Sequence, residues 1–136
     1  MADTVIDSSI WIDFFNKKST PLVEEIKSTL FNYELKSPFV ILPVIMQEVL
    51  QGIDENKIYE IVKESLFGLE LIEYNQYESA LSAADLFRFL RKKGVTIRKA
   101  NDCLIATICI ENKFKLIHND KDFTNIAKHT SLKIYK

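Results

Sequence analysis

Residues 39–52 read Phe-Val-Ile-Leu-Pro-Val-Ile-Met-Gln-Glu-Val-Leu-Gln-Gly, and this stretch decides the class of fold. Its first four residues form a continuous apolar run of strand length, which is typical of a strand buried in a parallel sheet. Pro43 suits the first turn of a helix, and the helix predicted at 44–51 ends before Gly52. A buried strand followed at once by a helix indicates an α/β protein.

The same alternation continues on both sides of this stretch. Further strands are predicted at 4–6, 69–73, 115–118 and 132–135. Further helices are predicted at 10–15, from 22 onward, at 54–67, at 76–92, at 103–110 with Asn101 and Asp102 as its cap, and at 121–128. We therefore predict a three-layer α/β fold with a mostly parallel central sheet of about five strands and helices on both faces.

Composition indicates an ordinary globular protein. The 136 residues are 47% hydrophobic and 27% charged, so we predict a single domain over 1–136 with one core. The formal net charge of -1 excludes a basic coat over the whole surface, although it allows a local basic patch. No apolar run reaches the roughly 18 residues of a membrane span, and no signal-peptide pattern is present. Cys103 and Cys109 would lie on different sides of one helix and cannot pair locally, so we predict a reduced, cytoplasmic protein.

Acidic residues follow several of the predicted strands. Ligands bind beyond the carboxyl ends of parallel strands, and Asp7 and Asp120 lie directly past two such ends. Asp102 opens a late helix, Glu48 lies in the helix after the second strand, and Asp122 lies two residues past Asp120. Each has a plainer explanation as a helix cap, a solvated charge or a turn residue. Their arrangement nevertheless predicts that four connections bring carboxylates to one place.

Four segments carry a resemblance to PIN-domain ribonucleases, and their order and the size of the chain resemble the VapC-like toxins of bacterial and archaeal toxin–antitoxin pairs. The segments are Val5-Ile6-Asp7-Ser8-Ser9-x-Trp11-Ile12, Pro43-Val44-x-x-Gln47-Glu48-Val49-x-x-Gly52, Gly94-x-x-Ile97-x-x-x-x-Asp102-x-x-Ile105-Ala106 and Leu116-Ile117-His118-Asn119-Asp120-x-Asp122-Phe123-x-x-Ile126-Ala127. Together they span nearly the whole chain.

The resemblance implies a Mg²⁺-dependent endoribonuclease, with Mn²⁺ as a substitute ion. It assigns Asp7, Glu48, Asp102 and Asp120 to the catalytic, metal-binding cluster and Asp122 to its outer edge. It also implies an RNA substrate, a small cognate antitoxin and a homodimer. The family often has a hydroxyl residue where this chain has His118, which we predict to be packed or hydrogen-bonded rather than catalytic.

The chemistry of phosphodiester cleavage agrees with this assignment. Hard divalent cations bind carboxylate oxygens, and they offset the repulsion between a carboxylate cluster and an RNA phosphate. Without metal, we expect mutual repulsion to leave a shared proton on the cluster near neutral pH. Half of the residues at 88–99 are basic. Four of these cations are the predicted RNA contacts, Arg98, Lys99, Lys92 and Lys93, and the last two are equally well explained as a solvated helix end.

Two other functions remain open at this point. One is a catalytically silent PIN-like module that binds RNA, against which the intact acidic set argues. The other is a receiver-type phosphoacceptor domain, which needs two acids at one end of the first strand. Asp3 and Asp7 straddle that strand, so this second alternative is weak.

Overall fold

The computed structural model describes residues 2–30 and 37–135, in which one or two helices follow each of the first four strands. The strands are β1 (Thr4–Ile6), β2 (Phe39–Ile41), β3 (Glu70–Leu71), β4 (Lys115–Ile117) and β5 (Lys133–Ile134). The helices are α1 (Ser8–Phe15), α2 (Pro21–Leu30), α3 (Pro43–Gln51), α4 (Asn56–Phe67), α5 (Gln76–Lys92), α6 (Ala100–Asn112) and α7 (Lys121–His129).

The strands form one sheet in the order β3-β2-β1-β4-β5, and every pairing within the described residues is parallel. β1 is central, and its Val5 pairs with Val40 on one side and Leu116 on the other. The predicted parallel sheet of five strands is therefore confirmed. The chain adds β2 and then β3 on one side of β1, and it adds β4 and then β5 on the other side. The strand order therefore reverses between β1 and β4. Such a reversal is where open α/β sheets place their ligands.

Helices cover both faces of the sheet, as predicted. With this strand order, the rule that connections between parallel strands are right-handed places α1 to α4 on one face and α5 to α7 on the other. The packing agrees, since α1 contacts α2 and α3, α3 contacts α4, and α6 contacts both α5 and α7. Coverage on both faces explains why every residue of β1 and β2 is buried, without alternation along the strand.

The core lies between these layers. Val5, Ile6, Val40 and Ile41 have no exposed surface, and α6 is buried along most of its length. Both cysteines lie on α6 as buried free thiols, as expected from their spacing. No helix in the ranges 2–30 and 37–135 is long and apolar enough to cross a membrane.

The ends of several elements differ from the prediction. α6 begins at Ala100, so Asn101 and Asp102 lie in its first turn and Lys99 occupies the cap position. The predicted cap was wrong because the Asp102 carboxylate is buried, while its backbone N–H donates to the Lys99 carbonyl oxygen at 3.0 Å. α4 begins at Asn56 rather than 54. β3 has only two residues, both exposed, because this edge strand has a single neighbour.

Candidate functional site

Asp7 joins the central strand to α1. Its backbone N–H donates to the Ile117 carbonyl oxygen at 2.9 Å, which fixes it beside the carboxyl end of β4. Its Oδ2 accepts hydrogen bonds from the Ser9 backbone N–H at 3.3 Å and from Ser9 Oγ at 2.7 Å. Asp7 is thus both the cap of α1 and a buried carboxylate at the point where the strand order reverses.

Asp102 lies almost fully buried in the first turn of α6, with 3% of its surface exposed. Its Oδ2 is buried and has no hydrogen-bond partner among the described residues. Burial raises the pKa of Asp102 to about 7, and the negative charges of nearby acids add to this rise, while Lys99 opposes it. This agrees with the expectation of a proton held on the cluster near neutral pH. The acids that act on Asp102 are Asp7, Asp120 and Glu48.

Glu48 approaches the same place from α3. Its Oε2 accepts a hydrogen bond from Asn101 Nδ2 at 3.4 Å, so it is linked to the residue preceding Asp102. Its Oε1 is buried and, in the described part of the chain, lacks a hydrogen-bond partner. The sequence singled out Asn101 only as a cap, and no pattern in the sequence indicated this contact.

Asp120 and Asp122 complete the group at the start of α7. Asp120 caps the helix, and its Oδ1 accepts from the Asp122 backbone N–H at 2.9 Å. One carboxylate oxygen from each of Asp102, Asp120 and Asp122 lies within 4.8 Å of the other two. These three acids are therefore close enough to share a cation. Asp7 and Glu48 lie within electrostatic range of Asp102 but outside that group of three.

Arg98 occupies an unexpected position against these acids. Its Nη2 lies 3.1 Å from Asp120 Oδ1, and its Nε lies 3.3 Å from Asp122 Oδ2. Its backbone N–H also donates to Asp122 Oδ2, at 3.1 Å. The sequence predicted Arg98 as an RNA contact, and the structure gives its guanidinium carboxylate partners that the sequence did not indicate.

The other predicted RNA contacts lie along the connection between α5 and α6. Lys92 ends α5 and Lys99 caps α6, and both are exposed. Lys93 Nζ lies 5.7 Å from the centre of the Phe89 ring, a distance that permits a cation–π contact. Gly94 turns the chain between them with φ of +83°, a conformation that favours glycine. The connection therefore carries exposed cations directly to the acidic group.

His118 is hydrogen-bonded and packed, as predicted. Its Nδ1 accepts from the Asp120 backbone N–H at 3.1 Å, and its ring tilts against Phe123 at 5.4 Å between centroids. Burial lowers the pKa of His118 below its usual value, which favours the neutral ring. A hydroxyl is nevertheless present nearby, because Ser9 Oγ accepts from the Asn119 backbone N–H at 3.4 Å while it donates to Asp7. Ser9 lies in the first of the four PIN-like segments, but the sequence assigned it no role in the site.

The model of the PIN domain family matches residues 4–129, which is most of the chain. The chain belongs to the PIN domain family. Ribonuclease VapC11 of Mycobacterium tuberculosis is 28% identical over 128 residues, which cover 94% of each chain. This membership excludes the receiver-type alternative.

Solved structures also resemble this PIN domain. The DNA-bound VapBC structure from Salmonella typhimurium has a TM-score of 0.77 at 17% identity and covers 99% of this chain and 98% of that one. VapBC-5 from Mycobacterium tuberculosis, described as a member of the VapBC family of toxin–antitoxin systems, has a TM-score of 0.67 at 20% identity. The match covers 100% of this chain and 99% of that one. At these identities the likeness concerns the fold.

The donor set of this PIN domain fits a hard divalent cation. PIN nucleases use divalent metal ions, and carboxylate oxygens are the ligands that such ions prefer. Two buried oxygens here, Glu48 Oε1 and Asp102 Oδ2, have no protein partner in the described ranges. A buried oxygen without a partner is costly, and a bound cation would remove that cost. Asp102, Asp120 and Asp122 have the spacing to hold it.

Proposed function

We propose that this PIN domain is a metal-dependent endoribonuclease that acts as the toxin of a toxin–antitoxin pair. The observation that carries the proposal is the convergence of carboxylates from four connections, in which two buried oxygens have no partner among the described residues. The names of its relatives, a VapC ribonuclease and VapBC complexes, support the same activity. In this proposal Asp7, Glu48, Asp102 and Asp120 form the catalytic, metal-binding cluster and Asp122 is a further ligand. Of these acids, Asp102, Asp120 and Asp122 have the spacing to hold the ion directly.

We propose Mg²⁺ as the ion in the cell, with Mn²⁺ able to replace it. A bound ion of this kind supplies an activated water and a counter-charge for the phosphate. The protein supplies the fixed carboxylates: each ionised pair at 4.8 Å would repel by about 3.5 kcal/mol at an effective dielectric constant of 20, before relaxation or protonation. The cluster therefore favours a cation strongly over an uncompensated phosphate.

RNA needs a positively charged approach to this acidic site. We propose that Arg98 and Lys99, with Lys92 and Lys93 further along, contact RNA phosphates. Three of these residues are exposed lysines on the connection into α6. Contacts of this kind set affinity and position but carry no sequence information.

We also propose a small cognate antitoxin and a homodimer as partners, with residues 1–136 as a single domain in the cytoplasm. Several large apolar side chains are exposed on α4 and α5, and such residues often mark partner surfaces. They include Phe67 at 64% exposure, Tyr77 at 86% and Leu81 at 67%.

A silent RNA-binding PIN module is the second candidate. The observation in its favour is the Arg98 contact with Asp120 and Asp122, which satisfies two acids without any ion. The unpaired oxygens of Glu48 and Asp102 argue against it, because Arg98 does not reach them.

Cleavage of end-labelled, single-stranded RNA of random sequence in Mg²⁺ tests the proposal. Removing a residue that hydrogen-bonds to a metal ligand typically lowers metal affinity or activity by about 10- to 100-fold. Replacing a proposed ligand itself should cost more, so Asp7→Asn or Asp102→Asn should slow cleavage at least about 100-fold. Asp85→Asn, which changes an exposed acid on α5, serves as the matched control. Folded Asp102→Asn protein with the parent's rate, or parent protein that binds RNA without cleaving any of the pool, would favour the silent module.

A further inference from the structure

Arg98 contacts the acidic group through two parts that differ in how firmly they are held. The guanidinium bridges Asp120 and Asp122 through side-chain contacts of 3.1 Å and 3.3 Å. The backbone N–H of the same residue donates independently to Asp122 at 3.1 Å. Asp122 in turn donates its own backbone N–H to Asp120. The two carboxylates would therefore keep backbone partners if the guanidinium moved away.

We propose that Arg98 is an exchangeable internal cation: its guanidinium neutralises the acidic group in the metal-free protein and leaves when a divalent ion binds. This inference rests on the proposed function, because it takes Asp102, Asp120 and Asp122 as the ion's ligands. It gives Arg98 two successive partners, the carboxylates first and an RNA phosphate afterwards.

The exposure of the three side chains supports exchange rather than a permanent bridge. The Arg98 side chain is 69% exposed, whereas those of Asp120 and Asp122 are 11% and 9% exposed. The guanidinium therefore approaches the acids from the solvent side and can leave without disturbing the core. Because solvent screens the attraction of the exposed guanidinium to the acids, a divalent ion can replace it.

Charge supplies the reason for exchange. A guanidinium in contact with two of the three proposed ligands would lie close to a divalent ion held by them and would repel it. Each ion that binds must therefore overcome the attraction that now holds Arg98. Because such coupling is reciprocal, an RNA phosphate that binds the released guanidinium would also strengthen metal binding.

Calorimetric titration of Mn²⁺ into chelator-treated protein tests the exchange. Arg98→Gln keeps a polar side chain but removes the competing charge, so it should bind Mn²⁺ about tenfold more tightly than the parent, or about 1.4 kcal/mol. Its thermal midpoint in chelator should fall by a few degrees, because the metal-free acids lose their counter-charge. Arg98→Lys keeps the charge but not the two-pronged geometry, and it should bind Mn²⁺ with an affinity between those of the other two proteins.

Lys99→Gln is the matched control, since it removes a cation next to Asp102 that makes no ion pair with the described residues. It should change Mn²⁺ affinity less than Arg98→Gln does. If Arg98→Gln binds Mn²⁺ as weakly as the parent or more weakly, Arg98 is a fixed support of the carboxylates. That result overturns the exchange but leaves the proposed nuclease function standing. If neither the parent nor any variant binds Mn²⁺, the exchange and the proposed nuclease fall together.

Discussion

At the scale of single residues, Asp102 has the most unusual environment in the site. It lies in the first turn of a helix, where a carboxylate is ordinarily favoured by the N–H groups of the helix end. Its pKa is nevertheless raised to about 7, because burial and the charges of Asp7 and Asp120 outweigh that benefit. A buried carboxyl whose proton is lost near neutral pH is suited to exchange that proton for a metal ion.

This environment predicts a pH-dependent stability of the metal-free protein. The pKa of Asp102 rises from 3.8 to about 7 on folding, so the folded state holds more protons than the unfolded state between these values. Stability should therefore fall as pH rises through this window and level off above about 7. His118, whose pKa is lowered on folding, contributes the opposite slope just below its ordinary pKa of 6.5.

Thermal unfolding in chelator at several pH values between about 5 and 8 measures this effect. Asp102→Asn removes the Asp102 titration and leaves His118 in place, so the midpoint of the parent should decline relative to that of the variant. Parallel curves for the two proteins would show that Asp102 is ionised throughout this range.

At the scale of elements, the sequence predicted correctly the helices and strands whose ends carry clear local signals, such as a capping side chain. α5 runs from Gln76 to Lys92 as predicted, because Asn75 accepts from the Glu78 backbone N–H at its start and cations lie at its end. The start of α6 was predicted wrongly, since Asn101-Asp102 has the composition of a cap although burial of Asp102 decides its role. The acids at strand ends could be predicted because parallel strands share one ligand-binding edge. The Arg98 contact could not, because it depends on how the connection from α5 to α6 folds against α7.

That connection predicts a salt dependence of RNA binding that changes with metal. We use an Asp7→Asn background, in which RNA should stay intact. There Lys99→Ala should reduce the steepness of the slope of log affinity against log salt by up to about 0.7, with or without Mg²⁺. Arg98→Ala should reduce this slope only at Mg²⁺ concentrations that saturate the remaining acids of the Asp7→Asn protein, because the guanidinium is otherwise held by Asp120 and Asp122.

Fluorescence anisotropy of a labelled single-stranded RNA measures these slopes. Lys57→Ala, an exposed cation on α4, is the control and should leave the slope unchanged. Equal slopes for the parent and Lys99→Ala would mean that this lysine does not contact the RNA backbone.

At the scale of the whole molecule, the site exists only where the two halves of the sheet meet. Asp7 follows β1, and Asp120 follows β4 on the other side of the strand-order reversal. Glu48 and Asp102 reach the same edge from helices on opposite faces. An ion bound here would therefore hold together both helical layers as well as the sheet.

Such an ion should stabilise the folded protein by an amount that grows with the logarithm of its concentration once that exceeds the dissociation constant. A ligand that binds only the folded state adds about 2.7 kcal/mol at a hundredfold excess over its dissociation constant. The thermal midpoint of the parent should rise with Mg²⁺ and, at lower concentration, with Mn²⁺, since transition-metal ions generally bind a given site more tightly. The rise should be the same in Asp85→Asn and reduced in Asp102→Asn, with monovalent salt kept high. A parent midpoint insensitive to both ions would remove the physical support for a preformed metal site.

The register between β1 and β4 has a consequence for the time at which the protein becomes active during its synthesis. Val5, near the amino terminus, pairs with Leu116, and Asp7 is tied to Ile117. Because contacts between such distant segments form slowly and need both of them, a growing chain cannot assemble the site before β4 and the start of α7 have been made. Ribosome-bound fragments that end before β4 would therefore be harmless to the cell that translates them. The site would form only after residues 115–122 have been translated, and the synthesis of the preceding residues gives a neutralising partner an interval in which to accumulate.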